Sequence, residues 1–169
     1  MFSRHALMLT AAMVVALAGC GGSPTSTTAA VPSPAPSAAG LSITDPWVKT
    51  TKKGMTAAFG TLVNDGDTAV TIVSGATPLS PMVELHEVVE SGGKMVMRPK
   101  AGGFVVPPHG THQLQPGGDH IMLMGVAQAV RPGARISFTL QVKDGKPFEF
   151  TAVGKDFAGG EEDYQPGHK

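Results

Sequence analysis

From residue 56 to residue 153 the chain alternates between apolar and polar side chains in short runs cut apart by turn formers. The alternation is clearest in 56–63 (TAAFGTLV), 70–74, 82–89 (MVELHEVV), 94–97, 103–106, 111–114, 120–126 (HIMLMGV), 135–142 (RISFTLQV) and 147–153 (PFEFTAV). A period of two marks a strand with one buried face, because successive side chains point to opposite sides of a sheet. Asn64-Asp65-Gly66-Asp67, Ser91-Gly92-Gly93, Pro107-Pro108-His109-Gly110, Pro116-Gly117-Gly118, Arg131-Pro132-Gly133 and Asp144-Gly145 separate the runs. These are residues that hairpins and tight loops require. An amphipathic helix needs apolar residues at i, i+3 and i+4 over ten or more positions, and no segment beyond the first twenty residues has them. About eight or nine short strands at regular spacing predict an all-β fold, a Greek-key β-sandwich.

The alternation fails on both sides of this region. Residues 21–40 (GGSPTSTTAAVPSPAPSAAG) carry no charge and almost no bulky apolar side chain. They cannot bury enough surface to fold and read as a flexible tether, part coil and part polyproline-like. Residues 158–169 (AGGEEDYQPGHK) are polar and Gly-rich, and a disordered tail is expected there. The folded domain is therefore expected over 41–157, about 115 residues, enough for a self-supporting core. Ahead of the tether, Arg4 gives a basic start and 6–17 (ALMLTAAMVVAL) is an uncharged apolar run of twelve. A membrane-spanning helix takes about 20 such residues, whereas twelve suits the core of an export signal over residues 1–20. The run ends in Leu17-Ala18-Gly19-Cys20, which resembles the lipobox of bacterial lipoproteins. That resemblance implies cleavage before Cys20 and its lipidation, with two or more acyl chains to hold it stably. An extracytoplasmic protein follows, anchored to the cell membrane by lipid alone, in a periplasm or on the outer face of the cytoplasmic membrane.

Composition narrows the function. Cys20 is the single cysteine, so a lipidated chain has no disulfide and rests on its core. Removing Arg4 with the leader leaves twelve basic against thirteen acidic side chains, a net charge of −1. No strong field remains to attract nucleic acid, and one Trp and one Tyr give no base-stacking surface. Neither a Gly-x-Ser-x-Gly elbow nor a phosphate-cradling loop is present. His86-Glu87-Val88-Val89-Glu90 begins like a zinc-protease motif but lacks the second histidine and falls on a predicted strand, where that motif needs a helix. The protein is expected not to be an enzyme, and no residue is assigned a catalytic role.

Soft metal ligands, by contrast, are concentrated. After the leader there are six methionines, Met55, Met82, Met95, Met97, Met122 and Met124, and five histidines, His86, His109, His112, His120 and His168. All but Met55 and His168 lie between residues 82 and 124. Strand parity sorts them. Val83 and Leu85 face one way while Met82, Glu84 and His86 face the other; Ile121 and Leu123 likewise oppose His120, Met122 and Met124. With the aliphatic face turned inward, His and Met are expected on the more accessible face. Met95 and Met97 share a face of a third strand beyond a tight turn. Thioether and imidazole are neutral, soft donors suited to Cu(I). Zinc favours Cys, His and carboxylate, and calcium and magnesium favour oxygen. Met82, Met95 and Met124 are candidates for the rim of such a site, His109 and His112 read as solvated loop residues, and Trp47 reads as a core anchor.

His86, ten residues, Met97, twenty-two residues, then His120-x-Met122 resembles the His…Met…His-x-Met signature of periplasmic copper chaperones of the PCuAC type. The flanks Glu84-Leu85-His86-Glu87, Lys94-Met95-Val96-Met97-Arg98-Pro99 and Pro116-Gly117-Gly118-Asp119-His120-Ile121-Met122-Leu123-Met124-Gly125 share the likeness, as does Asp45-Pro46-Trp47-Val48. The resemblance implies a cupredoxin-like sandwich holding one Cu(I) ion on His86, Met97, His120 and Met122. It further implies delivery of copper toward the CuA site of respiratory oxidases, often alongside Sco-type proteins. The chain departs from the pattern in Val88 and Val89 after Glu87, in the charged Asp119 before His120, and in a tail without a His/Met-rich extension. Two other functions compete with the carrier. An electron-transfer cupredoxin needs a cysteine thiolate beside two histidines, and Cys20 is the only cysteine. A metal-free scaffold or adhesive sandwich leaves the His/Met cluster without a purpose.

Overall fold

The computed structural model describes residues 40–159, 163 and 164, and every regular element among them is a strand. In chain order these are β1 Leu41–Lys49, β2 Gly54–Asn64, β3 Val70–Ala76, β4 Met82–Ser91, β5 Lys94–Pro99, β6 Phe104–Val106, β7 Gly110–Leu114, β8 His120–Val126, β9 Arg135–Val142, β10 Phe148–Lys155 and β11 Asp163–Tyr164. The expected export signal, Cys20, the tether up to residue 39 and His168 lie outside the described residues.

Hydrogen bonds link the strands in one path, β11-β5-β4-β8-β2-β1-β10-β9-β3-β6, with β7 paired to β2. The path curls into two layers. Leu85 of β4, Ile121 and Leu123 of β8 and Leu62 of β2 meet Ile72 of β3, Phe104 of β6, Phe138 and Leu140 of β9 and Ala152 of β10 in one buried cluster. This is the expected all-β sandwich. Each of these strands contributes its apolar parity, so their inward face was readable from the alternation.

β1 is the strand that alternation misses, because Asp45-Pro46 interrupts it. Thr44 pairs with Thr61 and Trp47 with Phe59, so three residues of β1 span two of β2. The extra residue is a bulge, and Asp45 there has φ 49°. Its effect is to exchange the faces of the strand. Before the bulge Leu41 points into the core; after it Val48 does, at an odd spacing, and both are fully buried. Trp47 is thereby turned out of the core and packs on Phe59, ring centroids 4.5 Å apart, and on Phe157. It anchors an aromatic group beside the core rather than the core itself.

The tail also differs from expectation at two residues. Asp163 and Tyr164 pair in parallel with Val96 and Met97 of β5. A polar, Gly-rich stretch carries no signal for this; the Tyr164 ring supplies the apolar surface, stacked on His86.

Where β6 meets β3, glycine is obligatory at one of two adjacent positions. Gly103 has φ 76°, and a Cβ there would lie 1.9 Å from the Ile72 carbonyl oxygen. Gly102 has φ 80° with open space around it. Gly103→Ala is expected to cost ~3 kcal/mol or more, against ~1 kcal/mol for Gly102→Ala. Thermal melts of the two variants test this; equal midpoints would show that β6 does not need the close approach.

Candidate metal centre

The site begins with the pairing of β4 and β8. They run antiparallel with Met82 opposite Met124, Glu84 opposite Met122 and His86 opposite His120. Directly opposed residues share a face, so the two histidines and Met122 lie together on the side away from the core. β5 flanks β4 and sets Met97 against Val88, which has the parity of His86, so Met97 is a diagonal neighbour of that histidine on the same face. On the far side of β8, β2 sets Ala57 against Met122. The structure therefore brings His86, Met97, His120 and Met122 onto one face of three adjacent strands, β5, β4 and β8.

That face is covered, contrary to the accessible face expected from parity. His86 is 0% exposed, His120 and Met122 4% and Met97 8%. Phe59 approaches the His120 ring at 6.2 Å and Trp47 packs behind Phe59. The Tyr164 ring lies parallel to that of His86 at 5.6 Å. Alternation reports which way a side chain points; the cover comes from residues remote in sequence. Under it is a cavity of about 400 Å³ whose walls include Met97, His120, Met122, Met55, Phe59 and Tyr164. Ala57, opposite Met122, is too small to fill it. His86 does not line the cavity but touches its wall, its ring 5.5 Å from that of His120 and steeply inclined to it.

Hydrogen bonds fix both imidazoles. The Nε2–H of His86 donates to Glu84 Oε2 at 2.8 Å, which leaves the lone pair on Nδ1. That nitrogen is buried and has no hydrogen-bond partner. The Nδ1–H of His120 donates to the Gly118 carbonyl at 2.9 Å, which puts its lone pair on Nε2. Each ring thus has a defined tautomer, held by a carboxylate or a carbonyl as metal-bound imidazoles usually are. A buried acceptor without a partner costs about 1–3 kcal/mol, which a metal ion on His86 Nδ1 would relieve. Burial and then the nearby Glu84 carboxylate push the Tyr164 phenol above its ordinary value.

Among the described residues no carboxylate lines the cavity, and the one charged side chain on its wall, Lys49, donates to the Gly159 carbonyl. Among the described residues no three His, Cys, Asp or Glu side chains converge as a metal site. Two imidazoles and two thioethers are a donor set that fits a soft monovalent ion, whereas zinc favours Cys, His and carboxylate and calcium favours oxygen.

The other histidines and methionines are elsewhere. His109 pairs with Asp67 at the surface. His112 is on β7 rather than in a loop, half-buried against Phe104 and 2.8 Å from Asp119. Met82 and Met95 are about half exposed, at 53% and 49%, and with Met124 they stand outside the cavity wall. Sequence reasoning missed Met55, Glu84 and Tyr164. Met55 had a usable signal, since it shares the parity of Ala57 and Phe59 on β2; Tyr164 had none.

Comparison with known proteins agrees with this architecture. Residues 41–153 match the model of the family described as "Putative lipoprotein LpqE-like". A protein of Leifsonia xyli subsp. xyli (strain CTCB07), described as "Putative lipoprotein Lxx21020", is 36% identical over 155 residues, 92% of each chain. The copper-bound PCuAC domain from PmoF2 is similar in fold, with TM-score 0.59 and 15% identity over 73% of this chain and 98% of that one. The CuI-DR1885 solution structure from Deinococcus radiodurans has TM-score 0.51 and 30% identity, covering 70% and 82% respectively. The sandwich is cupredoxin-like.

Behind the site, on the opposite face of β4 and β5, an ion network ties three segments together. Glu87 accepts from Arg98 Nε at 3.0 Å and from Lys100 Nζ at 3.1 Å, and Lys100 also donates to Asp119 at 3.3 Å. Asp119 immediately precedes His120. Burial alone would raise the Glu87 carboxyl, but Lys100 and Arg98 outweigh it and hold the group below its ordinary 4.5. Burial would likewise lower Lys100, and Glu87 and Asp119 raise it instead. A depressed carboxyl stabilises the fold fully above its unfolded value and loses that contribution as pH falls through the folded one. Glu87→Gln is therefore expected to be less stable than wild type at about pH 7, with the gap closing by about pH 3. Urea unfolding at both pH values checks this; a gap that persists in acid would mean the network is not ionic in origin.

Proposed function

The chain belongs to the LpqE-like family, and on that premise we propose that it is an extracytoplasmic copper chaperone that carries one Cu(I) ion as cargo. The observation that carries this reading is the set of two imidazoles and two thioethers gathered on one covered face, with the buried lone pair of His86 Nδ1 unpaired. His86, Met97, His120 and Met122 would hold the ion. Both histidines coordinate as neutral rings and both methionines carry no proton, so the cargo enters and leaves without net proton release from the thioethers. The copper-bound and CuI-form structures among the similar proteins support copper as the ion.

Function as a carrier needs ligand exchange rather than electron transfer. A one-electron copper site of the blue type requires a cysteine thiolate, and the only cysteine, Cys20, belongs to the proposed lipid anchor. We assign no catalytic step. The acceptor we propose is the CuA centre of a respiratory oxidase, reached directly or with a Sco-type protein, and the membrane is engaged through lipid on Cys20. The family and the Leifsonia relative both carry the description "Putative lipoprotein", in keeping with that anchor.

Two experiments test these assignments. Met97→Leu and Met122→Leu conserve volume and should cost the fold under ~1.5 kcal/mol. Each should weaken Cu(I) binding at least ~tenfold, about 1.4 kcal/mol, in a chelator competition on the detergent-extracted protein, while Met95→Leu leaves it unchanged. Wild-type affinity in both site variants, with unaltered melting, would dismiss the methionines as ligands. Separately, Cys20→Ser should release the protein from the membrane fraction with its copper affinity intact. A wild-type protein found in the soluble fraction would refute the anchor.

A further inference from the structure

We propose that Met55 is a receiving thioether at the mouth of the cavity, which takes Cu(I) from an external donor and passes it to the buried ligands. The inference rests on the copper reading above and concerns how the ion reaches its site. The four proposed ligands are between 0% and 8% exposed. A chelator or a partner protein cannot touch them all, yet an associative exchange needs a donor that reaches both the outside and the interior. Met55 is 53% exposed and still forms part of the cavity wall with Met97, His120 and Met122.

Its placement has a structural cause. Met55, Ala57 and Phe59 lie at period two on β2, and Ala57 is opposite Met122, so Met55 occupies the same face one step farther out. There the ladder is bulged: Gly54 pairs with Val126 and Thr56 with Leu123, so Met55 alone faces Met124 and Gly125. Gly125 has φ 72°, a value that favours glycine in such a bulge. Bulges beside functional sites often re-aim a side chain, and an unbranched thioether has the reach and freedom to swing between outside and inside. The remaining mouth residues are poor substitutes. Thr50, Thr51, Pro116 and Gly117 carry no soft donor, and the other exposed methionines, Met82 and Met95, are not on the wall.

The step is an exchange of ligands with no redox change. A Cu(I)–donor bond breaks as a Cu(I)–Sδ bond to Met55 forms; that bond then breaks as the ion passes to Met122, Met97 and the histidines. The ion keeps its single charge and no proton moves. Because the same route serves release, Met55 must speed both directions equally and leave the equilibrium alone.

The test is anaerobic stopped flow on the detergent-extracted full-length protein, using the Cu(I)–bicinchoninate complex as donor and free bicinchoninate as acceptor. Met55→Leu is expected to slow loading and unloading by about tenfold each, while affinity changes by less than ~twofold and melting is unaltered. Met95→Leu, equally exposed but off the wall, should behave as wild type. Wild-type rates in Met55→Leu would overturn the proposal. A weakened affinity with faster release would also overturn it, since Met55 would then be a resident ligand. If wild type takes up no Cu(I) at all, the copper reading itself fails and this inference falls with it.

Discussion

The antiparallel register of β4 against β8 is the constraint on which the site depends. It sets His86 opposite His120 and Glu84 opposite Met122, and so decides which side chains share a face. A slip of one residue would send His86 into the position of Leu85, inside the aliphatic core, and break the set. The register is held from both sides. On the core side Leu85, Ile121 and Leu123 are buried in one cluster with β3 and β9; on the edge, Lys100 links Glu87 of β4 to Asp119, one residue before β8. Apolar packing chooses the parity, and the ion network pins the end of the strand where the two histidines meet.

Two bulges then do what regular strands cannot. The one at Asp45-Pro46 exchanges the faces of β1, so that Val48 enters the core while Trp47 leaves it to back Phe59 against His120. The one at Gly125 breaks the β2–β8 ladder beside Met55. Between them lies the stretch of β2 in which Ala57 is opposite Met122, and that small side chain leaves the cavity open. Both bulges lie against β2, one on its β1 side and one on its β8 side.

Much of this was legible beforehand for a physical reason. Alternation is a local property, and β4, β8 and β9 obey it, so the sandwich and the common face of His120 and Met122 could be read from residue order alone. What could not be read is whatever depends on contact between distant segments. β1 was hidden because a bulge destroys the period that reveals a strand. The burial of His86 was hidden because its cover is Tyr164, part of a two-residue strand in a polar tail. Met55 was passed over because it lies outside the window where the other soft ligands crowd, although β2 brings its face beside theirs.

Burial gives the site its chemical logic. A monovalent ion taken out of water needs donors that replace its solvation without adding excess charge. Imidazoles and thioethers do so and are neutral. The remaining positive charge has a carboxylate close by, because Glu84 binds His86 Nε2–H while Nδ1 is left to coordinate. A hydrogen-bonded carboxylate behind an imidazole also raises its basicity as a ligand. Tyr164 is a neutral phenol near pH 7 and covers His86 without adding a second anion. An ion of charge +1 would then sit beside a single screened carboxylate, close to local neutrality. A divalent ion would leave a larger buried excess of positive charge, with neutral imidazoles and thioethers to bind it and one carboxylate nearby. A neutral donor set of this kind therefore favours a soft monovalent ion over zinc or calcium through charge as well as through softness.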